Sequence, residues 1–219
     1  MEFNQMRFEK LVIGTISKVN IRVVSIYTEA TPNPESMKFV LNRMLFAQNS
    51  ADFRIAEDAA GVSPLATALF EGFEQVQGVF IMNNFVTITK TLAADWIELI
   101  PTLREFIRAY FGDEKAIINP DAINDYMENH SGGDPNRIAE DDPETVKKIK
   151  EMLTKYVQPA VEGDGGSIVF RSYEAGIVTL GMQGSCSGCP SSSITLKAGI
   201  EGLLKRMVPE VQEVVAEAL

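Results

Sequence analysis

The residues whose chemistry stands out are Cys186 and Cys189, the chain's two cysteines, within Gly184-Ser185-Cys186-Ser187-Gly188-Cys189-Pro190-Ser191. A Cys-x-x-Cys loop turns both sulfurs to one side, where they meet a single metal ion, a cluster edge or each other. Gly184 and Gly188 give the backbone freedom to aim amides at sulfur, and such hydrogen bonds tune a bound cluster. A helix starting at Pro190-Ser191-Ser192 would present its partially positive end to the loop and favour the thiolate. Tetrahedral zinc and iron-sulfur clusters take about four ligands. The remaining soft donor, the sole histidine His130, lies in a loop-like stretch and reads as solvated rather than ligating. The loop is therefore half of a metal site.

Three readings share these residues. In the first, two chains each give two thiolates across a two-fold axis to zinc or to an iron-sulfur cluster. In the second, the loop is a dithiol oxidoreductase; against it, Pro190 follows Cys189 at once and no aromatic precedes Cys186. In the third, the cysteines are small buried residues, which leaves their spacing between glycines unaccounted for. Spacing alone does not choose between metal and redox chemistry.

The elements that must position this loop are legible around it. Glu140-Asp141-Asp142 leads into a helix, with Asp142 as cap and Pro143 in the first turn. Val146, Ile149, Leu153, Tyr156, Val157 and Ala160 form its apolar face, and Pro159 and Gly163 end it. After Asp164-Gly165-Gly166, residues 167–172 and 177–182 read as a strand pair, followed by the cysteine loop. A helix then runs from Pro190 to about Met207, with Ile194, Leu196, Ile200, Leu203, Leu204 and Met207 inward. Residues 211–216 form a last strand or helical turn. Glu162 and Asp164 read as turn and capping groups rather than a catalytic pair.

The earlier part of the chain forms a separate unit. Residues 22–29 and 36–45 read as strands joined by Thr31-Pro32-Asn33-Pro34, whose prolines make a stiff hairpin connection rather than a binding element. Ser63-Pro64 starts a helix through Leu65, Ala68, Leu69, Phe73 and Val76, closed by Gly78. Residues 79–82 and 85–89 flank a tight turn at Asn83-Asn84. A helix capped by Asp95 carries Ile97, Ile100, Leu103, Ile107 and Phe111 on one stripe, with Pro101 inside it, and a short helix spans 117–127. The predicted architecture is α+β: two small two-layer α/β domains joined by a flexible linker. Their boundaries are an N-terminal extension over 1–21, a first domain over 22–127, a linker over 128–141 and a second domain over 142–219.

Composition excludes several function classes. With 219 residues, 45% hydrophobic and 23% charged, the chain can bury a core without disulfides. A net charge of -10 without clustered Lys and Arg argues against nucleic acid as a partner. No apolar stretch reaches the roughly 18–20 residues a bilayer span requires. The N-terminal residues fit neither a signal peptide nor a transit segment. Unpaired-looking thiols point to a cytoplasmic location, or to an organellar matrix after removal of a presequence. No nucleophile-base pair or phosphate loop supports an enzyme.

Asp164-Gly165-Gly166, the two strands after it and Met182-Gln183-Gly184-Ser185-Cys186-Ser187-Gly188-Cys189-Pro190-Ser191-Ser192 closely resemble the C-terminal domain of the NifU family. Ala30-Thr31-Pro32-Asn33-Pro34-Glu35-Ser36-Met37-Lys38-Phe39 resembles the N-terminal domain of the Nfu proteins, iron-sulfur carriers of that family. The likeness covers about residues 22–219. It implies a carrier, not an enzyme, with Cys186 and Cys189 as the metal ligands. It further implies a labile [4Fe-4S] cluster shared between two chains as a homodimer, an upstream cluster donor and apo iron-sulfur client proteins.

Overall fold

The computed structural model describes residues 24–113, 115–130, 136–187 and 190–218. The expected extension over 1–21, the middle of the expected linker, Gly188 and Cys189 lie outside the described residues.

The first domain is a five-stranded antiparallel sheet with helices on one face. Its elements in chain order are β1 (Ile26–Ala30), β2 (Ser36–Leu41), β3 (Phe46–Phe53), α1 (Ala56–Ala59), α2 (Pro64–Gly72), β4 (Val76–Asn83), β5 (Phe85–Lys90), α3 (Trp96–Gly112) and α4 (Pro120–His130). The spatial order is β1-β2-β5-β4-β3. Thr31-Pro32-Asn33-Pro34 makes the β1–β2 connection; Thr31 Oγ1 donates to Asn33 O at 2.8 Å, and Asn33 O accepts from Ser36 N at 2.9 Å. Asn83, at φ 46°, closes the β4–β5 hairpin, as its tolerance of positive φ predicts.

Capping works as the sequence indicates. Ser63 Oγ accepts from Ala66 N at 3.1 Å, and the Asp95 carboxylate accepts from Ile97 N at 2.9 Å. The helix after Ser63 is shorter than predicted: Phe73 caps it, Val76 opens β4, and Gly78 sits inside that strand. On α3 the buried stripe is Leu99, Leu103, Ile107, Tyr110 and Phe111, whereas Ile97, in the first turn, is 81% exposed and lies off that stripe. β3 was not expected; its sequence, Phe-Ala-Gln-Asn-Ser-Ala-Asp-Phe, is too polar for an apolar alternation to stand out. The helix-side core joins Phe39, Leu41, Phe53, Leu65, Leu69, Val79, Ile81, Val86, Ile88, Leu103 and Ile107.

The second domain contains α5 (Glu144–Met152), a π-helical turn (Leu153–Val157), α6 (Gln158–Gly163), β6 (Gly166–Glu174), β7 (Ile177–Gly184), α7 (Pro190–Met207) and β8 (Glu213–Ala218). β6 and β7 form a hairpin, and β8 lies parallel to β7, which settles the last segment as a strand. Asp142 does not cap α5. Its carboxylate accepts from Ala139 N and from Lys150 Nζ, both at 2.8 Å, while Pro143 takes the cap position. Pro159 does not end the helix either, since the π turn displaces the hydrogen-bond ladder just before it and accommodates the missing donor. The same wider turn rotates Tyr156 out to 47% exposure while Leu153 and Val157 stay buried. On α7, Ile200 and Leu204 are buried but Ile194 and Met207 face outward at 68% and 47% exposure.

The described ends of the expected linker are more structured than their composition indicates. His130 is the last residue of α4 rather than part of a loop. Asn136 is tied to β6, donating to Ile168 O at 2.6 Å and accepting from Phe170 N at 2.9 Å. The two domains pack on one another, with the helix-free face of the first sheet against the β6–β7 end of the second domain.

Candidate functional site

The cysteine loop grows from the open end of the β6–β7 hairpin, where Gly166 pairs with Gly184. Gly184 takes φ +62°, a left-handed conformation that lets the strand turn sharply into the loop. The loop is held from within its own domain: Ser185 N donates to Gly165 O at 3.2 Å, Ser185 Oγ to Asp164 O at 2.6 Å, and Ser187 N to Gly184 O at 3.2 Å. The Cys186 thiol sits directly over Gly166, where an added Cβ would come within 2.6 Å of Sγ. Asp164-Gly165-Gly166 is thus the seat of the thiol, a role that needs the absence of a side chain.

Cys186 is 7% exposed and joins the apolar core of the second domain. Burial pushes its thiol up to about 12; a Ser185 hydrogen bond opposes that, and the nearby Asp164 and Asp52 carboxylates add to it. The thiol in this conformation is protonated and shielded, contrary to the activated thiolate that a helix start alone would suggest.

Around the loop stand first-domain residues, of which the sequence singled out Asn33 as part of a turn but not Arg54 or Asp52. Arg54 donates through Nη2 to Ser187 Oγ, and its Nε lies 3.0 Å from the Asp52 carboxylate. Asp52 Oδ2 also accepts from Gly184 N at 3.3 Å. Burial raises the Asp52 carboxyl above its ordinary value, against the lowering effects of Arg54 and the Gly184 amide. Asn33 Nδ2 reaches Ser187 O at 3.4 Å, so the proline-flanked turn has a second role beyond joining two strands. The signal for this contact was present in Val79-Phe80-Ile81-Met82, since an unbroken apolar run in a strand indicates burial on both faces.

Among the sequence-predicted ligands, Cys186 is placed in the loop and Cys189 lies outside the described residues. Among the described residues no group of three or more His, Cys, Asp and Glu side chains could hold a metal ion. A cleft of about 600 Å³ opens along the domain seam, lined in part by Asn83, Arg137, Lys155, Gln158 and Glu162, and Cys186 is not part of its wall.

Comparison with known proteins follows the same division. Residues 26–114 match the family described as "Scaffold protein Nfu/NifU N terminal", and residues 149–215 match the "NifU-like domain". The chain is 40% identical over 213 residues to "NFU1 iron-sulfur cluster scaffold homolog, mitochondrial" of Drosophila yakuba, covering 97% of this chain and 71% of that protein. This chain belongs to the Nfu/NifU family. The Drosophila persimilis relative of the same name is 41% identical over 200 residues, covering 91% of this chain and 67% of its own length. The Drosophila sechellia one is 43% identical over 194 residues, 88% of this chain, and the chain spans 65% of that relative's length. Among solved structures, a solution structure of the NifU-like protein from Saccharomyces cerevisiae aligns with 45% of this chain and 87% of its own, at 24% identity and a TM-score of 0.41. The two family matches leave residues 115–148 between them, the stretch holding α4 and the entry to α5. Among the described residues no helix is long and apolar enough to cross a membrane.

Proposed function

We propose that this Nfu/NifU protein is a non-enzymatic carrier that binds a labile [4Fe-4S] cluster between two protomers through Cys186 and Cys189 of each, and delivers it to apo-proteins. The observation that carries the proposal is the seat built for Cys186: a loop fixed by Ser185 and Gly165, over a glycine that leaves room for sulfur. The sequence contains two cysteines, so about four thiolates require a second copy. Relatives named as iron-sulfur cluster scaffolds support the same reading. Partners on this reading are an upstream cluster donor and apo iron-sulfur clients, with no nucleic acid, given the charge of -10. The thiols call for a reducing compartment, either the cytoplasm or an organellar matrix, and the relatives carry the name "mitochondrial"; tagging the full-length protein decides between them.

Anaerobic reconstitution with iron and sulfide, with metal analysis and sizing, tests the proposal. A dimer with a shared cluster is expected for the wild type and none for Cys186→Ser or Cys189→Ser. A monomer that takes up no iron, or a Cys186→Ser variant that keeps its cluster, overturns it. Tight zinc binding without sulfide would instead indicate a zinc-bridged dimer, and disulfide reduction by the apo monomer a dithiol oxidoreductase.

A further inference from the structure

The five-stranded sheet carries a second apolar face. Along β4, Val79 and Ile81 enter the helix-side core, while Phe80 and Met82 point the other way and cluster with Val40 and Phe85. A sheet with helices on one side ordinarily leaves its other face to water and fills it with polar side chains. Here that face holds Phe80 at 1% and Phe85 at 3% exposure. The second domain covers it: a Cβ on Gly184 would lie 2.8 Å from Phe80 Cδ1, and one on Gly165 would lie 2.9 Å from Thr87 Oγ1.

The polar contacts around this patch converge on the cysteine loop and its seat. Thr87 Oγ1 donates to Gly165 O at 2.7 Å, and Lys38 Nζ to Gly163 O at 3.0 Å. Ser50 Oγ donates to Gln183 Oε1 at 2.8 Å. Asp52 holds Gly184 N, while Asn33 and Arg54 hold the carbonyl and hydroxyl of Ser187. Gly184 and Ser187, on either side of Cys186, are thus bound by the first domain. Most of these contacts engage backbone groups, so the surface is fitted to a loop of glycines and serines.

We infer that the helix-free face of the first sheet is a docking site for this chain's own cysteine loop, and that it competes with a second copy of the chain for that loop. The competition rests on the proposed cluster bridging; the docking does not. Cys186 at 7% exposure, with Gly184 and Ser187 both clamped, cannot share a cluster with thiolates of another chain. The first domain must therefore leave before two loops meet, and the apolar face returns to cover the loop once the cluster is gone.

The test uses the full-length apo chain carrying Cys189→Ser, so that alkylation reports on Cys186. Phe80→Asp places a charge on the covered face, away from the helix-side core. Arg54→Ala removes the clamp on the Ser187 hydroxyl and stands in if Phe80→Asp does not fold. Each variant is expected to give a larger radius of gyration by small-angle scattering and alkylation of Cys186 faster by about tenfold or more, as loss of a charged hydrogen bond or a buried aromatic contact predicts. Unchanged scattering and unchanged alkylation in the folded variants overturn the docking. On the wild-type chain, anaerobic reconstitution should abolish hydrogen-exchange protection of the Gly184 amide by the first domain. A loaded dimer that retains that protection overturns the competition. Failure to take up iron overturns the carrier reading and the competition with it, while the apo measurements still decide the docking.

Discussion

The two faces of the five-stranded sheet bury aromatic side chains equally well, yet they are built differently. On one face Phe39 and Phe53, both at 0% exposure, pack into a continuous core with α2, α3 and α4. On the other, Phe80 at 1% exposure belongs to a cluster of four residues, rimmed by hydrogen bonds to another domain. The first face is closed by helices covalently continuous with its strands. The second is closed by a loop from a domain with its own core, comprising Ile149, Leu153, Val161, Ile168, Leu180, Leu204 and Val214. Equal burial therefore does not imply equal permanence. What differs is whether the covering element can leave without exposing its own core.

The largest effect that separates the faces is expected for Phe53→Ala. Removing a ring in contact with Tyr126, centroids 5.1 Å apart, should lower the stability of the first domain by about 3–5 kcal/mol in denaturant titration. Phe80→Ala, equally buried, should leave the first domain's own transition within about 1 kcal/mol and act mainly on domain separation. Equal losses for the two would erase the distinction between the faces.

Gly184→Ala comes next. Its Cβ would meet Gly165 O at 2.7 Å and the Phe80 ring at 2.8 Å, at a φ that alanine adopts with strain. A loss of about 1–3 kcal/mol is expected in the second domain, accompanied by seam opening. Thermal unfolding and scattering on the same sample separate these contributions. Ser63→Ala, which removes the α2 cap far from the seam, should cost about 1 kcal/mol by denaturation and leave Cys186 alkylation unchanged.

The smallest effect concerns pH. Lys150 and the Ala139 amide hold the Asp142 carboxylate below the usual range, so its pairing contributes stability above the unfolded-state value and loses it as pH falls through the folded one. Asp142→Asn should flatten the acid limb of the second domain's stability curve and leave the limb near neutral pH unchanged in slope. An acid limb identical to wild type would show that the carboxylate's pairing with Lys150 does not contribute.

The sequence alone determined the local elements that carry their own signals. Ser63 and Asp95 cap helices, Asn83 closes a hairpin, and the Cys-x-x-Cys loop sits between a hairpin and a helix, because each depends on a few neighbouring residues. It also indicated two α/β domains and the incompleteness of a two-cysteine site. It did not locate β3, whose polar residues Ser50 and Asp52 carry no strand signal of their own and find their partners in the second domain. It placed Tyr156 and Ile194 inward, because a π turn and the end of a packing interface shift helical faces without changing apolar spacing.

Tertiary structure alone decided what surrounds Cys186. The Gly166 seat lies 20 residues before it, and Asp52, Arg54 and Asn33 lie in another domain. Burial of the Cys186 thiol, its raised pKa and the clamping of Gly184 and Ser187 all follow from that meeting. A charge, a turn or a cap is a property of a few consecutive residues. The environment of a sulfur is a property of whatever the folded chain brings against it, and here half of that comes from a face whose only trace in the sequence is an apolar run where alternation was expected.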